Sequence, residues 1–80
     1  MKTEGDWAEE TKRLLRAEMT RRGVTYEELA EKLAAIGIKE TAVNLRNKVA
    51  RGRFSATFLV QCLMAMGTRV LQLSENANGQ

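Results

Sequence analysis

The chain has no proline and no histidine, a single cysteine (Cys62) and only four aromatic residues. Without proline, no residue is barred from a helix interior by a missing N–H. One thiol leaves no partner for an internal disulfide, and one thiol without histidine leaves a transition-metal site within one chain short of its usual sulfur and nitrogen ligands, so none is expected. No apolar run approaches the roughly 20 residues that span a bilayer, so no membrane association is expected. The first ten residues, MKTEGDWAEE, are charged where a secretory signal is apolar, which points to a cytoplasmic protein. There is also no nucleophile beside a base, no glycine-rich phosphate loop and no carboxylate pair in a pocket-like context, so neither an enzyme nor a cofactor is expected. The pairs Glu9/Glu10 and Glu27/Glu28 read as ordinary first-turn charges that favour helix N-termini.

What is present favours helix. Ala, Leu, Glu, Lys, Arg and Met dominate, and 80 residues make one domain with one core. The expectation is an all-α, compact bundle of four to five short helices over residues 6–73, with flexible tails at 1–5 and 74–80.

Asp6 and Glu9 have capping-box spacing and predict a first helix to Arg22, closed by Gly23. Its apolar face reads Trp7, Thr11, Leu14, Leu15 and Met19. A second capping box, Thr25 and Glu28, opens a helix whose Leu29, Ala30, Leu33, Ala34 and Ile36 face inward, the small Ala30 allowing a close crossing. Gly37 stops it and Ile38 plugs the turn. The third helix is predicted from Glu40 or Thr41 to Arg51, closed by Gly52, and seated by Ala42, Leu45 and Val49. Ser55 caps a fourth helix ending at Gly67, with Phe58, Leu59, Cys62, Leu63 and Met66 inward; Cys62 in that stripe reads as a core hydrophobe. The segment Thr68 to Leu73, TRVLQL, fits either a short fifth helix capped by Thr68 or an extended strand-like stretch.

The net charge of +3 is unevenly spread. Between Lys39 and Arg53 five bases (Lys39, Arg46, Lys48, Arg51, Arg53) stand against one acid, Glu40, so that segment alone holds +4. At 100° per residue, Asn44, Asn47, Lys48 and Arg51 fall opposite the apolar stripe of the third helix, with Thr41 and Val43 at the edges, and Arg46 falls nearer the buried side, its stem packed and its charge snorkelling out. A basic island on a near-neutral body has the charge pattern of a phosphate-binding surface.

The stretch GVTYEELAEKL (Gly23 to Leu33), the apolar positions and terminal Arg51–Gly52 of the third helix, and LMAMG (Leu63 to Gly67) resemble the lambda-repressor-like, Cro/repressor type of helix-turn-helix family. The resemblance covers roughly residues 10 to 73. From TYEELAEKL through KVARGRFSATFLVQCL the chain is also similar to a group of short, uncharacterised bacterial proteins related to that family. Three departures accompany it. The turn glycine that the family places at position 34 comes at Gly37, which implies a longer connection or second helix. An arginine of the first helix and a glutamate of the third, paired in many relatives, are here Met19 and Ala50, where an apolar contact could serve the junction. The glutamine that often opens the second helix on a phosphate is Tyr26.

The resemblance implies duplex DNA binding in transcriptional regulation, with the second helix across the backbone and the third in the major groove. Base readers would be Thr41, Val43, Asn44, Asn47 and Lys48, with phosphate contacts from Tyr26, Lys39, Arg46, Arg51 and Arg53. A single small head gains affinity by pairing, so a homodimer is expected, with Val60, Met64, Val70, Leu71 and Leu73 as candidates for its face. The alternative is a protein-interaction module, antitoxin-like or an accessory subunit, that turns the same polar helix toward a protein partner.

Overall fold

The computed structural model describes residues 1–73. It is all-helical, with four helices in the order α1 (Glu4–Arg22), α2 (Tyr26–Ala35), α3 (Ala42–Arg51) and α4 (Ala56–Ala65), and no strand among the described residues. Among the described residues no helix is long and apolar enough to cross a membrane.

Each helix starts on a hydroxyl that accepts from a backbone N–H three residues on. The acceptors are Thr3 for Asp6, Thr25 for Glu28, Thr41 for Asn44 and Ser55 for Phe58. These bonds satisfy donors that a helix cannot satisfy internally. At α2 the box is reciprocal, Glu28 N–H donating to Thr25 Oγ1 at 3.1 Å and Thr25 N–H to Glu28 Oε1 at 2.9 Å.

The start of α1 corrects the expectation. The helix begins at Glu4, not Asp6, because Thr3 and Asp6 form their own capping box, Thr3 N–H donating to Asp6 Oδ2 at 2.9 Å. That backbone bond is the main reason the Asp6 carboxyl sits below its ordinary value, followed by the Thr3 side chain. Residues 1–5 are therefore not simply a frayed tail, and Lys2 lies 4.5 Å over the Trp7 ring. The proposed tail at 74–80 lies outside the described residues.

Helices α1, α2 and α4 end in the same way. Gly23, Gly37 and Gly67 have φ of 66°, 85° and 82°, and the next residue's N–H reaches back to Met19, Leu33 and Leu63 respectively. This is the Schellman closure, in which a left-handed glycine lets two orphan carbonyls be satisfied. Gly52 differs. It is buried, and a Cβ there would collide with the Ala8 carbonyl of α1. Lys12 adds to the same junction by donating from Nζ to Ala50 O at 3.3 Å.

The core is Leu15 and Met19 of α1, Leu29 and Leu33 of α2, Leu45 and Val49 of α3, and Phe58, Cys62 and Met66 of α4 and its cap. Ala30, Ile38, Leu59 and Leu63 pack against it partly buried. Burial pushes the Cys62 thiol up to about 12, helped by the Glu40 charge and opposed by Lys48, so it stays a protonated core group. Three inward assignments fail. Trp7 and Ile36 are about half exposed (56% and 51%), and Ala34 is exposed. The Trp7 ring lies under the Lys2 ammonium instead of in the core, and Ile36 is already the C-cap of α2. Ala50 is exposed too, so its side chain does not form the apolar junction expected with the buried Met19.

Glu18 is the opposite case, a buried carboxylate on α1. Thr68 Oγ1 donates to its Oε2 at 2.8 Å, Arg21 Nη2 at 2.9 Å and Arg22 Nε at 2.5 Å. Arg22 Nη1 also donates to Met66 O at 3.1 Å, closing the end of α4. Burial pushes the Glu18 carboxyl up, but the bonds from Arg22, Thr68 and Arg21 outweigh it and hold the group below its ordinary value. Thr68 is thus spent as an anchor, and residues 68–73 form no fifth helix. Residues 70–72 run along α1, leaving a groove of about 530 Å³ against Leu14, Ala17 and Arg21.

Candidate nucleic-acid interface

The α2–α3 unit sets the geometry. Leu29 and Leu33 anchor α2, Leu45 and Val49 anchor α3, and residues 36–41 connect them. α2 continues to Ala35, two residues before Gly37, and six residues precede Ala42.

With Leu45 and Val49 inward, α3 presents Val43, Asn44, Asn47 and Arg51 to solvent. Val43 is 61% exposed, although it is apolar. The first turn of α3 holds no acid and its last turn holds Lys48 and Arg51. Asn44 and Asn47 each carry a donor and an acceptor, Arg51 a forked cation, and Val43 a branched methyl surface. Thr41 is exposed as well, but its oxygen is engaged at 3.1 Å by the Asn44 N–H as the helix cap.

Lys48 departs from the expectation that it shares this outward face. On a wheel it stands about 60° from Leu45, on the flank of the buried stripe. Its Nζ lies 2.6 Å from Glu40 Oε2 and 4.8 Å from the Phe58 ring centroid. The Glu40 side chain is only 13% exposed. Lys48 therefore ties the residue before the α3 cap to the second turn of α3 and to α4. Glu40, the lone acid of the basic segment, serves as its structural partner.

Arg46 carries its charge outward from the flank of the stripe. It is exposed and lies over the Tyr26 ring at 5.2 Å, with Glu27 at 3.9 Å. This stacking brings together the candidate phosphate groups of α2 and α3. They line a groove of about 360 Å³ with Thr25, Thr20 and Arg16. The sequence reading missed Arg16, since nothing on α1 reveals which of its cations will face α2 and α3. Arg51 and Arg53 line a smaller cleft of about 200 Å³ with Lys48, Phe54, Ser55 and Phe58, where Phe54 and Phe58 meet edge to face at 5.2 Å. Lys39 is exposed in the connection. Among the described residues Arg16, Lys39, Arg51 and Arg53 make no ion pair. The candidate positions thus form an outward face of α3 flanked by cations on either side, with Lys48 turned away from it.

No match was found among curated proteins or among solved structures. A family model described as a domain of unknown function (DUF6471) matches residues 7–71, from the first turns of α1 through the segment that follows α4. That span includes every core residue and every candidate position of the α3 face, and the chain is a member of the DUF6471 family.

Proposed function

We propose that this protein binds duplex DNA, α3 entering the major groove, and acts as a small cytoplasmic transcriptional regulator working as a homodimer. The observation that carries the reading is the outward face of α3. It carries Asn44, Asn47 and Arg51 with Val43, holds no acid, is seated by the buried Leu45 and Val49, and is flanked by cations of which Arg16, Lys39 and Arg53 make no ion pair among the described residues. Asn44 and Asn47 fit the donor and acceptor that adenine shows in the major groove, Val43 fits a thymine methyl, and Arg51 suits guanine or a phosphate at the groove edge. Tyr26, Arg46 and Arg16 on one side and Arg53 and Lys39 on the other suit the sugar-phosphate backbone. The resemblance to lambda-repressor-like domains supports the same docking.

Titration of the full chain against a mixed-sequence duplex at two salt concentrations tests this. Neutralising four phosphates per copy gives a log–log salt slope of roughly −3 to −4, and replacing Arg51 by Ala lowers its magnitude by about 0.9 when that residue meets a phosphate. Absence of binding at low salt refutes the reading and favours a protein partner for the α3 face.

A further inference from the structure

Of the three cations on α3, Arg46, Lys48 and Arg51, only Arg51 makes no ion pair among the described residues. The other two flank the outward face, Lys48 about 40° round the helix from Asn44 and Arg46 about 60° from Val43. Each is drawn away from it. Arg46 lies over Tyr26 near Glu27, and Lys48 Nζ stands 2.6 Å from Glu40 Oε2 against the Phe58 ring. The Glu40 tie is the firmer one. Its side chain is 13% exposed against 68% for Glu27, and a carboxylate so covered has given up water that only the partner's charge replaces. Over its first two turns the outward face of α3 is left with Val43, Asn44 and Asn47 and no cation, and the Thr41 oxygen is engaged as the cap.

We propose that Glu40 is a specificity-determining positioning residue: by holding Lys48 off the α3 face, it restricts the DNA target to sites with adjacent A·T pairs at their centre. This specificity rests on α3 being the element that enters the major groove. Its cause is what each base shows there. Guanine shows two acceptors, N7 and O6, which a lysine or arginine satisfies, whereas adenine shows an acceptor beside a donor. An amide matches adenine, and an ammonium, which has no acceptor, does not. An amide facing guanine leaves its own carbonyl oxygen unpaired and bears the desolvation cost of that group. Asn44 and Asn47 stand roughly 4.5 Å apart along the helix axis, close to the step of about 3.4 Å between base pairs, so the two amides address neighbouring pairs. Val43, beside Asn44, suits the thymine methyl of such a pair. Released from Glu40, Lys48 follows Asn44 by one turn, and its flexible four-carbon stem carries to the same base pairs the donors that guanine accepts. A pair that only tied α3 to α4 would set stability and leave base preference alone.

Selection of bound duplexes from a random-sequence library by the full chain, followed by titration of two duplexes that differ only in having A·T or G·C pairs at the centre, reads the preference. The native chain is expected to enrich adjacent A·T pairs and to bind the A·T duplex at least about tenfold more tightly, the effect of one mismatched pair. Glu40→Gln, checked as folded by circular dichroism at the titration temperature, narrows the gap to less than about threefold by gaining on the G·C duplex. Adding Lys48→Met to Glu40→Gln restores the native preference, which a loss of stability alone does not do. Two variants keep the test decisive where Glu40→Gln folds poorly. Lys48→Met alone discriminates like the native chain, and Asn47→Ala binds the A·T duplex about tenfold more weakly while holding its affinity for the G·C duplex. Binding without base preference, a preference for G·C, or a folded Glu40→Gln variant that discriminates like the native chain overturns the role of Glu40 and leaves DNA binding standing. A native chain that binds neither duplex overturns the proposed function and this specificity with it.

Discussion

Replacing Lys48 with Met separates its structural role from a nucleic-acid role. The substitution keeps an unbranched apolar stem while removing the charge that stands 2.6 Å from Glu40 Oε2 and 4.8 Å over Phe58. Fully exposed ion pairs contribute about 0.2–1 kcal/mol, whereas removing one partner of a buried pair costs about 3–5 kcal/mol. Glu40 is largely covered but Lys48 is 39% exposed, so the pair falls between these limits. Adding about 0.5–1 kcal/mol for the cation over the ring, the expected loss is roughly 1.5–3 kcal/mol. For a domain of this size that lowers the melting temperature by about 6–24 °C. Glu40→Gln alone destabilises too, but in the Lys48→Met background it changes little, because the two residues act on each other. Thermal melts by circular dichroism give the stability, and DNA titration well below the melting temperature gives the affinity, expected within about threefold of native with an unchanged salt slope. A variant that melts like the native chain yet binds DNA weakly with a shallower salt slope refutes the inward assignment and returns Lys48 to the binding face.

Two further perturbations probe the frame. Gly52→Ala is expected to destabilise by more than about 2 kcal/mol, because the new Cβ meets the Ala8 carbonyl at a positive φ, while Gly23→Ala, with a similar φ but open space around it, loses only about 1 kcal/mol; equal losses in denaturant melts contradict the close approach of α3 to α1. Glu18 has a folded-state pKa below its ordinary 4.5, so the stability it contributes is present above that value and is lost as pH falls through the lower folded value. Glu18→Gln should remove this part of the acid dependence and weaken the fold by about 1–3 kcal/mol at neutral pH, and an unchanged acid midpoint argues against the Thr68–Arg22 clamp.

Where one helix ends and the next begins was legible because those signals are local. A hydroxyl three residues before a backbone donor, and a glycine free to take positive φ, act within a few residues, as at Thr25, Ser55, Gly37 and Gly67. The four-helix, all-α class and the inward stripes of α3 and α4 follow from the same short-range periodicity. The start of α1 was misplaced at Asp6 because two capping boxes overlap, of which the Thr3 box forms, and α3 begins at Ala42 because Thr41 is its cap. The candidate interface was legible in composition, as a basic segment with paired asparagines, but not in membership. Lys48 left the outward face because Glu40 and Phe58, eight and ten positions away, compete for its charge. Arg46 found Tyr26, and Arg16 joined them, only once α1, α2 and α3 were packed. Nothing local to α1 marks Glu18 as buried, since the group that closes over it, Thr68, stands fifty residues on. Periodicity specifies which side of a helix is apolar. Which polar side chain is drawn to which distant partner depends on the crossing of helices, and that is decided by the packing of the core.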